Sequence, residues 1–435
     1  MKGIMLSPVL LLWAHSGWAM EPAQPTSANP AALLREAEEN SPAIRAARAR
    51  LEAARHAPSQ VEAPPDPEVS VAYTNDGLSR FTLGESEFAQ LSLNWTQEIR
   101  SRGKRRQAGE AASRSSQAAE KELALVRLEV LSAVKSAYAD LVRLDGTAAI
   151  LDEIRSVLDS VEQTARRRYE VGQGIQENVL KAQTEILKLE AESTRVAQER
   201  LEVEARLDAA VGRAAGAPIG PAAAAALSGA LGEDAEALAQ AALAGSPGVG
   251  ALEAEVRRRQ ASAELARLEL KPDFIWSASY QYRGDLDPMV MGMLGVRLPL
   301  HKARKQAQAV AQAESDVTAA QQDLADRQVR TQSAVRELAA RAQGAERLLE
   351  LYEQGIIPQA ANTLESARAS YAVGRIGVLD LFNDLRVLLD ARKDQISLEA
   401  ERIQALAALE PLVGRDLVRV PESGDAAGGS HAPLR

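Results

Sequence analysis

Two periodicities divide the chain. Leu131, Val134, Tyr138 and Leu141 recur at steps of three and four, and Leu151, Ile154, Leu158 and Val161 repeat the pattern. Such spacing puts one apolar seam along a helix and predicts coiled-coil-like packing. Elsewhere the period is two. In EVSVAYT, Val69, Val71 and Tyr73 alternate with Ser70, Ala72 and Thr74; in FAQLSLNWT, Ala89, Leu91, Leu93 and Trp95 alternate with polar residues. FIWSASYQY sets Phe274, Trp276, Ala278, Tyr280 and Tyr282 on one face, and VMGMLGVRLPL continues with Leu294, Val296 and Leu298 opposite Arg297. Alternation over about ten residues predicts strands with one apolar and one polar side.

The same pattern occurs twice. SPAIRAARARLEAAR at 41 matches SPGVGALEAEVRRRQ at 246, and DPEVSVAY at 66 matches KPDFIWSA at 271, both at an offset of 205. GKRRQAGEA at 103 matches KARKQAQAV at 302, and RRYEVGQGIQENVL at 167 matches ASYAVGRIGVLDLF at 369. A repeat fixes architecture before any single element is argued. The expected organisation is a first repeat over 20–213, with a helix, a hairpin at 67–97, a long helix at 104–170 and a helix at 176–213. An Ala/Gly/Pro linker follows at 214–232. The second repeat spans 233–414, with a helix, a hairpin at 272–300, a long helix at 303–372 and a helix at 378–414, before a flexible tail at 415–435. Ser-Pro at 41 and 246 is expected to open a helix in each half, serine as cap and proline in the first turn. Each long helix would span roughly 100 Å at 1.5 Å per residue. The fold class is therefore mostly α with a small β part.

Composition narrows the setting. MKGIMLSPVLLLWAHSGWA, residues 1–19, has a basic residue, a short apolar run and small residues near its end, the pattern of a cleaved signal peptide. With no cysteine there is no disulfide framework and no acceptor for an N-terminal lipid. Net charge is −9 with acid and base interleaved, which argues against a nucleic-acid partner. Aromatics are only 3% of residues, yet eight of the thirteen beyond the leader fall in the strand windows: Tyr73, Phe81, Phe88, Trp95, Phe274, Trp276, Tyr280 and Tyr282. That enrichment suits the interfacial girdle of an outer-membrane barrel. Four strands cannot close in lipid without leaving backbone groups unpaired at several kcal/mol each. Three copies would supply twelve strands.

With its paired tips Y-E-V-G and Y-A-V-G and the block LYEQGIIPQAANTLESARASYAVGRIGVLDLF, where Pro358 interrupts a long helix, the chain resembles the TolC-type outer-membrane efflux proteins. The resemblance implies a homotrimer with a twelve-stranded barrel in the outer membrane and a helical tunnel in the periplasm, joined through a periplasmic adaptor to an inner-membrane pump. Val171, Gly172, Val373 and Gly374 match the tip motif that meets the adaptor. Tyr169, Asn178, Tyr371, Arg375 and Asp380 correspond to the periplasmic aperture, although Ile376 stands where a gate arginine is familiar and Asn178 where an aspartate is.

PPDPEVSVAYTNDG resembles the strand entry of the heavy-metal export branch, and the tail carries His431. The other mature histidines, His56 and His301, are isolated, and Met289, Met291 and Met293 are read as barrel packing rather than a soft-metal site. No phosphate loop, nucleophile elbow or carboxylate–histidine constellation points to an enzyme, and no cofactor is implied. Two rivals remain at this level: the exit duct of a type I protein secretion system, and a non-transport periplasmic coiled-coil scaffold or adaptor.

Overall fold

The computed structural model describes residues 28–420, apart from 79, 215, 218, 224 and 225. The leader at 1–19 and His431 lie outside the described residues. The first half contains α1 (Pro30–Asn40), α2 (Pro42–Glu62), β1 (Glu68–Thr74), β2 (Gln90–Ile99), α3 (Arg102–Glu170) and α4 (Gln176–Val211). After a two-residue strand β3 (Ser228–Gly229), the second half repeats the order as α5 (Ala235–Gly245), α6 (Pro247–Leu268), β4 (Asp273–Arg283), β5 (Leu286–Arg297), α7 (Gln306–Leu351), α8 (Ile357–Ala372) and α9 (Val378–Val413). A short β6 (Val418–Arg419) closes the series. Each half thus has two helices before its hairpin rather than one. No helix among the described residues is long and apolar enough to cross a membrane.

α3 is a single helix of 69 residues. Ser101 Oγ accepts the Lys104 N–H at its start, and Arg167 and Arg168 lie in its last turn, where cations suit the helix dipole. All eight seam positions from Leu131 to Val161 are buried. The serines of the Ser-Pro pairs behave differently from expectation. Ser41 and Ser246 stand at the N-caps of α2 and α6, yet neither side chain caps its helix. Both are buried, and the Ser246 hydroxyl has no partner.

The second long helix departs further. Residues 300–305 form turns, with the His301 carbonyl accepting from the Arg304 and Lys305 N–H groups, so the helix begins at 306 and not 303. A π turn at Tyr352–Ile356 then separates α7 from α8, and Pro358 falls in the first turn of α8. A proline inside a helix lacks a donor and crowds the preceding turn; the extra residue of a π turn absorbs that misfit without ending the helix. The expected tail also starts later. Glu410 Oε1 accepts the N–H groups of Leu417 and Val418 at 2.8 Å each, and β6 pairs with β3, so residues 416–419 are held by the body.

The two hairpins join in one antiparallel sheet of order β1-β2-β4-β5. Its register gives each face a character. Trp95 opposite Ala278, Leu93 opposite Tyr280, Trp276 opposite Leu294 and Phe274 opposite Val296 share the apolar face. Asn94, Ser277, Ser279 and Gln281 share the other. Met289, Met291 and Met293 pair with Gln281, Ser279 and Ser277, so they lie on the polar face. β1 and β5 have free edges within the protomer.

Candidate functional site

The end of the molecule opposite the sheet is made by two turns, one per half. At the first, α3 stops at Glu170, Val171 is the cap and Gly172 takes φ +73°. At the second, α8 stops at Ala372, Val373 is the cap and Gly374 takes φ +76°. The hydrogen bonds match: Gly172 donates to the Tyr169 carbonyl and Gln173 to that of Arg168, while Gly374 donates to Tyr371 and Arg375 to Ser370. This is the Schellman arrangement, and its left-handed residue explains the glycine in both copies. Space does not, because a Cβ at either glycine would meet nothing within 4 Å. Val171 and Val373 are 67% and 68% exposed, so two valines stand in solvent at the extreme end. Isolated exposed apolar residues need no explanation; here the exposure recurs on two matching turns.

The aperture candidates separate. Tyr169 is exposed, whereas Tyr371 is buried. Tyr371 joins the hydrophobic core, and its ring is also covered by Arg168, which sequence reading missed. Its guanidinium donates to the carbonyls of Tyr371 and Ala372, at 3.0 Å each, and lies 4.8 Å from the centre of the Tyr371 ring. One arginine thereby caps the other hairpin's helix and covers its tyrosine. Burial raises the Tyr371 phenol above its ordinary value, with Arg168 pulling the other way, so the hydroxyl stays protonated at neutral pH. Asp380 does not reach another tip: its Oδ2 accepts the Gly377 N–H at 3.1 Å and caps its own helix. Arg375 is exposed, and Asn178 is half-buried. The signal that could have found Arg168 was its place in the last turn of α3, where a basic side chain seeks free carbonyls.

At the sheet, Tyr73, Phe88, Phe274, Trp276, Tyr280 and Tyr282 are exposed, and Trp95 is half-buried. Trp95 and Trp276 meet edge to face at 4.6 Å between ring centres, and Tyr73 stacks on Phe81 at 4.8 Å. A soluble hairpin would bury such rings on a helix. Here they cover a face that no element of the protomer packs against.

Comparison with known proteins fits this geometry. The outer membrane efflux protein family matches residues 33–213 and 238–415. Among solved structures, VceC of Vibrio cholerae aligns with TM-score 0.75 at 21% identity, covering 89% of this chain and 96% of that one. The CmeC outer membrane channel of Campylobacter jejuni aligns with TM-score 0.76 at 14% identity, covering 94% of each chain. The open state of the MtrE outer membrane channel of Neisseria gonorrhoeae aligns with TM-score 0.73 at 16% identity, covering 89% of each. No curated protein matches by sequence. With both halves matched over nearly their full extent, the chain belongs to the outer membrane efflux protein family.

Proposed function

We propose that three copies assemble through their free edges into an exit duct of a tripartite efflux system, with the Val-Gly tips meeting a periplasmic adaptor that joins the duct to an inner-membrane pump. The observation that carries the reading is the sheet: one apolar, aromatic-rich face, one polar face, and two edges left open. Open edges in hydrocarbon are too costly to persist, so β1 of one copy pairs with β5 of the next. The helices leave a matching seam. Leu180, Leu187 and Leu201 on α4 are 53%, 65% and 64% exposed at heptad intervals, a row suited to a neighbouring subunit's helix. Transport here needs no catalytic group. The barrel supplies a polar passage, the helices extend it, and the work of concentrating cargo is done by the pump.

Docking is tested by Val171→Asp combined with Val373→Asp, measured as resistance in cells that depend on this chain for efflux. The variant should assemble as a detergent-requiring trimer and lose efflux. Full resistance would sink the docking role of the tips. A wild-type protein that is a water-soluble monomer would sink the duct itself.

A further inference from the structure

The four junctions between sheet and helices lie at one end of the sheet, and their charge is uneven. After β2 the chain reads Arg100, Arg102, Lys104, Arg105 and Arg106; β5 ends on Arg297, and after it come His301, Lys302, Arg304 and Lys305. No acidic residue interrupts either run. Some of these cations are used internally. Lys104 is buried against Glu269 and Asp273 at 3.1 and 2.8 Å, Arg297 and Arg100 approach Glu98 at 2.9 and 3.7 Å, and Arg105 donates to the Glu62 carbonyl. Arg102, Arg106, Lys302, Arg304 and Lys305 are exposed and join no ion pair among the described residues. The carboxylates nearby that also lack an ion pair are Glu62, Asp66 and Glu68, at the junction between α2 and β1. With Lys271 just before β4, six unpaired cations among the described residues stand against three unpaired anions, a positive surplus in every copy. The far end of the sheet is opposite in sign, with Asp76, Glu85, Glu87, Asp285 and Asp287 against Arg80 and Arg283.

The surplus adjoins the apolar face. Ile99 ends β2 at 49% exposure, and beyond β5 Leu298 and Leu300 are 59% and 82% exposed. Both basic runs therefore begin at an exposed aliphatic lip. Trp276, paired edge to face with Trp95, stands three residues inside the start of β4, or about 10 Å along the strand. Rings and aliphatic side chains share the apolar face up to the end of the sheet and cations follow beyond it, the order met on leaving the hydrocarbon and its aromatic belt for the headgroups.

We infer that these junctions form a basic collar that binds the headgroups of anionic phospholipids in the leaflet facing the helices. The inference rests on the duct reading above, because only a closed barrel places the sheet in lipid. Each lysine or arginine near an anionic surface adds to the attraction, and salt weakens it as the Debye length shortens. Lys302, Arg304 and Lys305 with Leu298 and Leu300 make the stronger half. Arg102 and Arg106 are its counterpart in the first repeat.

The test uses the full-length protein, delipidated in mild detergent, with phosphatidylglycerol or phosphatidylcholine added and bound lipid counted by native mass spectrometry. Wild type should prefer phosphatidylglycerol by about tenfold or more, falling as ionic strength rises, since several cations act together. The variant R102Q/R106Q/K302Q/R304Q/K305Q should remain trimeric with a preference near one, whereas R45Q/R50Q, which removes exposed arginines on α2 away from the sheet, should keep it. No preference in wild type, or an unchanged preference in the five-site variant, overturns the collar. So does a five-site variant that no longer forms trimers, because its cations would then pair with a neighbouring subunit. The same spectra report the wild-type oligomer: a trimer without lipid preference rejects only the collar, while a protein with no trimer rejects the duct.

Discussion

The two long helices began as copies and now do different work. α3 runs unbroken from Arg102 to Glu170, and it packs against α2 and α4 of its own half and α6 and α9 of the other. The equivalent stretch of the second half is divided by a π turn, and α7 packs against α5, α6 and α9, all in its own half. Both buried lysines are on α3, and both reach across. Lys104 holds Glu269 and Asp273 near the sheet, and Lys135 holds Glu410 at 2.8 Å and Asp416 at 2.9 Å near the end of α9. The first helix is thus the strut between halves, and the second faces outward with Val329, Leu348 and Leu351 exposed. A duplicated chain is not a symmetric one: the copy at the inner seam is fixed by buried charge, while the copy at the free side can carry a break.

Removing a buried charge should test that contrast most strongly. Lys135→Met leaves Glu410, which is fully buried, without its cation, and the expected loss is about 3–5 kcal/mol in chemical denaturation of the purified protein. Combining it with Glu410→Leu should return much of that loss. On α7, Arg336 meets Glu236 with both side chains about half exposed, so Arg336→Ala should cost under about 1 kcal/mol. Equal losses at the two sites would remove the distinction between a pinned and an unpinned helix.

The tips sharpen the comparison at a smaller scale. Because Gly172 and Gly374 have nearly equal φ and no neighbours for a Cβ, leucine at either should cost the same, about 1–2 kcal/mol of left-handed strain. A thermal melt of the two variants would read this. Unequal values would mean that one tip is shaped by contacts beyond its own turn. Arg168→Ala should cost about 1 kcal/mol, from the lost cation–π contact and two hydrogen bonds, and should raise the exposure of Tyr371 in solvent-perturbation fluorescence. Tyr169 has no such cover, since Ser370 stands where the repeat would place the matching arginine, and its exposure should not change in this variant.

Much of this was legible along the chain, and the reason is that local chemistry decided it. The seam from Leu131 to Val161, the alternation around Trp95 and Trp276, and the Val-Gly turns each announce themselves in a window shorter than about twenty residues. Two features depended on distant parts of the fold. Arg168 is one of three consecutive arginines, and only the position of the second hairpin shows which of them finds carbonyls at Tyr371 and Ala372. The anchoring of residues 416–419 depends on Glu410 being held by Lys135, 275 residues away in sequence. Ser41 and Ser246 were legible as N-cap positions but not as uncapped ones, since both are buried by parts of the fold far along the chain and neither hydroxyl caps its helix.

The weakest expected effect concerns how the first hairpin is clasped just above its tip. Glu162 on α3 accepts from Arg166 at 2.6 Å and from Gln183 on α4 at 3.1 Å, so one carboxylate ties the two arms together. The hydrogen bond from Arg166 holds that carboxyl below its ordinary value of 4.5, Gln183 and the arginine's charge adding to it and burial opposing. A group whose folded value is depressed binds its proton more readily in the unfolded chain. Its contribution is therefore present above about pH 4.5 and is lost as pH falls through the folded value. Glu162→Gln, which never ionises, should melt lower than wild type at pH 7, and the gap should close below pH 4.5. At the second tip no acidic residue occupies the matching place: Leu364, 202 positions later, is buried and apolar. A variant whose melting point falls with acid as steeply as that of wild type would move the titrating group elsewhere and leave the two tips alike in their response to pH.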